Sequence, residues 1–285
     1  PLVHFQDTPA PVARTVTDLA TTLDSIVGYD AKDPFTVTAS AASRVGSYAE
    51  AVALDMPLNR WRIGVLETGF GENDNPDAEP VSDVVRAAIS RLEELGVSTT
   101  RELEIADLAE WIDGTSVYVK QSKPDINDFL AQRRDAPVSS FMEIYDGGHF
   151  HRENDLFHGI AEGPETIDGD VEYLQRRLNQ DHFRRYVLNI FAAHGLDFLV
   201  YPTVQVIPPT REELAAEKYQ CLTFPTNTVI GSQAGLPALT IPVGFTSDGL
   251  PVGLELLGTP LAEADMLQFA RSWESATAPR RAPNI

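Results

Sequence analysis

The stretch GLPALTIPVGFTSDGLPVGLELLGTP, residues 235–260, decides the fold. It holds two apolar segments, ALTIPVGF and VGLELLG, on either side of Ser247-Asp248-Gly249. Asp and Gly tolerate positive φ, so the short polar segment reads as a turn and its flanks as two buried strands. Downstream, ADMLQFARSWESA (264–276) reads as a helix starting beside Glu263 and Asp265, acidic residues that suit a helix N-terminus. Upstream, LDFLVYPTV (196–204) reads as a buried strand ending at Pro202.

Further towards the N-terminus, WRIGVLET (61–68) predicts a short strand running into a loop with Gly69 and Gly71. Residues 79–95 predict an amphipathic helix. Val81, Val84, Val85, Ala88, Ile89, Leu92 and Leu95 share one face, and Gly96 stops it. VSTTRELEI (97–105) follows as a strand, so the order strand–helix–strand predicts a parallel βαβ unit. Residues 11–28 also carry a helical period, with Gly28 as the stop and Asp33-Pro34 in the turn that follows. The region from about 105 to 185 reads as mostly helical and rich in charge. Strands alternating with helices predict an α/β fold, a three-layer α/β/α sandwich around a mixed sheet.

The 285 residues are 43% hydrophobic, enough for one large unit or two modest ones. Lys plus Arg number 22 and Asp plus Glu 42, a net charge of −20. Such a surface repels phosphate backbones and anionic lipid, which argues against nucleic acid and membrane as main partners. The densest apolar run, 187–200, is broken by Asn189, His194 and Asp197, short of the ~18 residues of a membrane helix. The single cysteine, Cys221, excludes an internal disulfide and an all-Cys zinc site, and predicts a cytoplasmic protein. It is expected to pack as a small apolar residue.

Three stretches in this order resemble the amidase signature family. PVARTVTDLATTLDSIVGYDAKDP (11–34) resembles the segment written G-P-x-A-R-T-V-x-D, with Ala10 standing where the family has Gly. LVYPT (199–203) resembles the strand and loop before the family's last quarter. FPTNTVIGSQAGLPALTIPVGFTSDGLPVGLELLGTPLAEADMLQFARSWE (224–274) resembles its C-terminal block, with G-L-P-A-x-x-x-P and G-L-P-V-G-x-x-L-x-G in register. The resemblance runs from about residue 8 to 275. It implies carboxamide hydrolysis by a nucleophilic Ser, a second Ser and a Lys, without cofactor or metal.

No G-G-S-S-G-like run occurs in the chain. Ser139-Ser140 is its only adjacent serine pair, and the four lysines (Lys32, Lys120, Lys123, Lys218) lie outside any glycine-flanked apolar strand. The resemblance therefore implies no catalytic residue here. Residues 1–285 are expected to be the C-terminal part of a single amidase-like domain, with the helical region about 105–185 inserted. The expected partners are an N-terminal segment carrying the serines and lysine, and a small amide; a homodimer stays open. The rival reading is the A-type component of a tRNA-dependent amidotransferase, or a non-catalytic assembly component.

Within the resemblance, FPTNTVIGSQAG (224–235) is the substrate-facing candidate. Thr226, Asn227, Ser232 and Gln233 crowd an otherwise apolar run, and Gly231 and Gly235 allow close approach of a bound molecule. The competing reading is helix capping. His149, His151 and His158, with Glu153 and Asp155, carry metal-ligand side chains. The two-residue spacing of His149 and His151 shares a face only on a strand, so they read as surface or rim histidines. Arg14 is placed to pair with Asp18.

Overall fold

The computed structural model describes residues 2–282 except 5, 43–45, 55, 72–74 and 134. In chain order the elements are α1 (Val16–Ile26), α2 (Ala39–Ala42), α3 (Tyr48–Ala53), β1 (Arg62–Leu66), α4 (Glu79–Glu94) and β2 (Ser98–Leu103). Next come α5 (Leu108–Thr115), α6 (Tyr118–Ala131), α7 (Phe141–Asp146), α8 (Leu156–Glu162) and α9 (Val171–His194). The chain continues with β3 (Phe198–Pro202), α10 (Arg211–Ala215), α11 (Thr228–Ala234), β4 (Ala238–Phe245), β5 (Pro251–Gly258) and α12 (Glu263–Thr277). Two compact units result. One, helical, comprises Pro1–Thr8, Ala106–Val187 and Ile207–Gly235; the other comprises Pro9–Ile105, Leu188–Val206 and Leu236–Ile285.

The second unit is built on a mixed sheet in the order β2-β1-β3-β5-β4, the α/β arrangement expected from the strand and helix patterns. β1 is parallel to β2 and β3, while β5 is antiparallel to β3 and β4. The β1–α4–β2 crossover is the predicted βαβ unit. Val81, Val85, Ala88, Ile89 and Leu92 of α4 are buried, and Gly96 adopts φ +92° just past the helix end. Trp61, Phe198 and Phe269 interlock on one sheet face, with ring centroids 5.2, 5.5 and 6.4 Å apart. Each such burial contributes about 1.5–3 kcal/mol. α12 lies on this face: Trp273 Nε1 donates to the Pro242 carbonyl at 3.0 Å. On β1, Gly64 admits its neighbours: a Cβ there would stand 2.5 Å from Leu103 Cδ1 and 2.6 Å from Leu196 Cδ1.

β4 departs from its reading as a buried strand. Among the described residues it is the outermost strand, with Ala238, Thr240 and Pro242 exposed and Ile241 buried. Proline lacks the N–H of a central strand, so Pro242 belongs at an edge. The first helix also differs. It begins only at Val16, capped by Thr15 Oγ1, which accepts from the Asp18 N–H at 3.1 Å. Val12 lies outside the helix and is 98% exposed. Gly28 keeps a negative φ, and the C-cap is an extended Val27. Arg14 forms no ion pair with Asp18 among the described residues. α1 nevertheless buries Ala20 against Tyr48, Val52 and Leu267.

Apolar clusters among the described residues of the helical unit include Phe141–Leu156–Ile160 and Val3–Val117–Tyr173. α6 is unusual in burying a polar set: Gln121, Ser122, Lys123 and Asp125. Asp125 accepts from the His4 N–H at 2.8 Å. Lys123 Nζ donates to the Ala161 and Gly163 carbonyls at 2.8 and 2.7 Å. No helix among the described residues is long and apolar enough to cross a membrane.

Candidate functional site

The four candidate residues all fall in the helical unit, at or beside α11. Gly235 ends that helix with φ +61°, its N–H reaching the Gly231 and Ser232 carbonyls. Asn227 occupies the N-cap position, yet its side chain caps no helix amide and is 2% exposed. Capping therefore does not account for Asn227. Thr226 Oγ1 lies 3.0 Å from Thr228 Oγ1, and Ser232 Oγ donates to the Val229 carbonyl at 3.3 Å. Both satisfy local groups, as Ser and Thr commonly do.

Gln233 is held differently. It is 3% exposed, and its Oε1 accepts from Thr115 Oγ1 at the end of α5. Thr115 Oγ1 also lies 2.7 Å from the Trp111 carbonyl oxygen. The last carbonyls of α5 have no helical partner and must find one elsewhere. One face of α9 supplies the donors: Gln180 Nε2 to Thr115 at 2.9 Å, Asn179 Nδ2 to Gly114 at 3.1 Å, Arg176 Nη1 to Ser116 at 3.1 Å. Residues 176, 179 and 180 share a face because a helix brings i, i+3 and i+4 together. Arg177 donates to Gln180 Oε1, and burial holds its guanidinium below the usual arginine range. Trp111 stacks on Phe183 with centroids 5.5 Å apart.

Gln233 thus belongs to a fixed α5–α9–α11 junction. Ser232 and Gln233, adjacent in sequence, lie about 100° apart around the helix, Gln233 buried and Ser232 half-buried. Asn227 and Gln233 are buried; Thr226 and Ser232 are not. The arrangement offers amide and hydroxyl groups for hydrogen bonding. It holds no nucleophile paired with a base. Thr115, Gln180 and Arg177 carry no motif that marks them in the sequence; the three-residue spacing of Arg177 and Gln180 is the only local signal.

The Gln233 geometry yields a prediction. Gln233→Leu removes one buried hydrogen-bond acceptor and is expected to lower stability by about 1–2 kcal/mol, or a few degrees in Tm. A calorimetric scan with Tm unchanged would remove Gln233 from the junction.

The histidine stretch is an aromatic cluster. His158 Nδ1 lies 2.8 Å from Tyr145 Oη, and Tyr145, Phe150 and Phe157 stack around it. His151 Nδ1 accepts from the Glu153 N–H at 3.3 Å. Among the described residues no three His, Cys, Asp or Glu side chains are grouped to hold a metal. Cys221 does not pack as an apolar residue: it is exposed, and its N–H donates to Asp155 Oδ1 at 2.8 Å. Partial burial and Asp155 push its thiol up, away from the reactive thiolate.

A family model described as Amidase matches residues 1–267. The chain belongs to the amidase family. The A-type component of the glutamyl-tRNA(Gln) amidotransferase of Picosynechococcus sp. is 28% identical over 291 residues, which cover 95% of this chain and 56% of that protein. The native peptide amidase of Stenotrophomonas maltophilia superposes with a TM-score of 0.75 at 26% identity, over 100% of this chain and 56% of the other. An amidase family protein from Bacillus anthracis shares the fold with a TM-score of 0.77 at 22% identity, over 100% and 51%. The chain spans about half the length of the curated relatives it matches. The family match includes all four candidate residues and extends through both units.

Proposed function

We propose that this chain is the C-terminal, pocket-walling part of an amide C–N hydrolase that releases a carboxylic acid and ammonia or an amine. The observation that carries this reading is the amidase family match from residue 1 to 267. An amide is a poor electrophile with a poor leaving group. Its cleavage needs an activated hydroxyl, donors for the oxyanion and an acid for the nitrogen. Lysine can act as the base only when burial lowers its pKa from about 10.4. Lys123 is buried but spent on two carbonyls and Glu165, so it is not offered as that base. We assign the Ser-Ser-Lys set to an N-terminal amidase segment acting with this chain. We keep Thr226, Asn227, Ser232 and Gln233 as the proposed substrate-binding wall, and the cytoplasm as the proposed location.

The test is ammonia release from a panel of carboxamides. The 285-residue chain alone is expected to release none, and the chain supplied with the Gly-Ser-rich segment is expected to turn over. Release by the chain alone would sink the reading. EDTA is expected to leave that turnover unchanged, and loss restored by zinc would reassign residues 149–158. A second reading, the A-type component of a tRNA-dependent amidotransferase, is favoured by the names of the curated relatives. Glutamine-dependent amide transfer to glutamyl-tRNA, with no activity on simple amides, would select it. The charge of −20 on this chain offers tRNA little attraction.

A further inference from the structure

Thr115, the last residue of α5, is 0% exposed. Side chains clasp this end of the helix residue by residue. Asn179 Nδ2 donates to the Gly114 carbonyl at 3.1 Å, Gln180 Nε2 to the Thr115 carbonyl at 2.9 Å, and Arg176 Nη1 to the Ser116 carbonyl at 3.1 Å. The Val117 N–H donates to Gln6 Oε1 at 2.9 Å. Four consecutive residues at a helix end, where carbonyls have no helical partner, are thus held by side chains from distant positions. Arg177 adds a further constraint: its guanidinium donates to Gln180 Oε1, a charge-assisted bond. With that oxygen held, the planar amide turns its –NH2 towards Thr115.

The clasp fixes where the Thr115 hydroxyl stands, and a hydroxyl has one hydrogen to give. Two acceptors are within reach, Gln233 Oε1 and the Trp111 carbonyl. The Trp111 carbonyl stands four residues before Thr115, the position to which a helix brings a backbone N–H. Gln233 Oε1, on a side chain 3% exposed, is the acceptor that needs the hydroxyl, because a buried amide oxygen left unbonded is costly. The –NH2 of Gln233 is then the end of its amide turned from Thr115, and it is a donor.

We propose that Thr115 is a positioning residue for amide cleavage: its hydroxyl sets the Gln233 amide so that the –NH2 donates to an acceptor on the bound substrate. Arg177 and Gln180 stand behind Thr115 and hold it for that task. This rests on the reading of residues 226–233 as the substrate-binding wall. It adds which end of Gln233 meets the substrate and what keeps it there. A contact made equally to substrate and transition state acts on KM and leaves kcat unchanged.

Steady-state kinetics of the intact enzyme, this chain together with its N-terminal segment, test the assignment on the carboxamides that wild type turns over. Thr115→Val is nearly isosteric and has no hydroxyl. It is expected to raise KM by about two- to tenfold, the factor one hydrogen bond carries, with kcat unchanged to within about twofold. Thr115→Ser returns the hydroxyl and is expected to bring KM back. In a Gln233→Leu background, Thr115→Val is expected to add nothing, because both act through one contact. A wild-type KM in Thr115→Val, or a full additional rise in the Gln233→Leu background, would overturn the proposal. Gln233→Leu alone with an unaltered KM would refute the substrate wall itself, and the proposal with it. If Thr115→Val does not fold, Gln180→Glu gives an independent reading. It keeps an oxygen for Arg177 but has no –NH2 for the Thr115 carbonyl, so KM is expected to rise, and an unmoved KM would also overturn the assignment.

Discussion

Replacing Lys123 by Met is expected to lower the stability of the helical unit by about 2–6 kcal/mol. The side chain is 4% exposed, and Nζ meets the Ala161 and Gly163 carbonyls at 2.8 and 2.7 Å and Glu165 Oε1 at 3.0 Å. Those carbonyls lie at the end of α8, where helix carbonyls have no partner of their own. Met fills the same volume but donates nothing, which leaves two acceptors unmet at about 1–3 kcal/mol each. Glu165 is 72% exposed, so its ion pair adds little. Glu165→Gln is accordingly expected to change stability by less than about 0.5 kcal/mol. Urea melts of the two variants separate the accounts. If Glu165→Gln cost as much as Lys123→Met, the ion pair and not the carbonyl cap would be the source.

Gly163→Ala is expected to cost about 3 kcal/mol, at the upper end for overpacking. A Cβ at this position would stand 2.2 Å from the Val119 carbonyl oxygen and 3.1 Å from that of Ile160. Both atoms are backbone, so neither can rotate away. α6 and α8 would have to separate, and with them the carbonyls that Lys123 holds. The backbone angle is ordinary, φ −67°, so close approach rather than conformational freedom demands the glycine. Gly28→Ala, where a Cβ meets nothing within 4 Å, is the control and is expected to be near neutral. Thermal melts showing equal Tm for both variants would rule out the clash.

Most of the sheet unit is legible in the sequence because its signals are local. The apolar period of α4, the Gly96 stop, the Ser247–Gly249 turn and the strand around Phe198 each depend on residues within one turn or one strand. The α1 start differs from its periodicity because Val12 fits the period but lies before the Thr15 cap, and a cap outranks one apolar residue. β4 reads as buried because apolar content does not distinguish a central strand from an edge. Pro242 is the available clue.

The candidate site is legible as a segment but not as a geometry. Polar residues in an apolar run mark 226–233, and only the fold turns Gln233 towards Thr115 while Ser232 bonds its own helix. The partner of Gln233 lies 118 residues away. By itself the sequence determined the family, through motifs in fixed order, and the elements, through periods of 2 and 3.6 that act over a few residues. Tertiary structure alone decided that β4 is outermost among the described strands and that Lys123 caps α8. The physical reason is that burial and pairing are properties of neighbours in space, and chain folding chooses those neighbours from distant sequence positions.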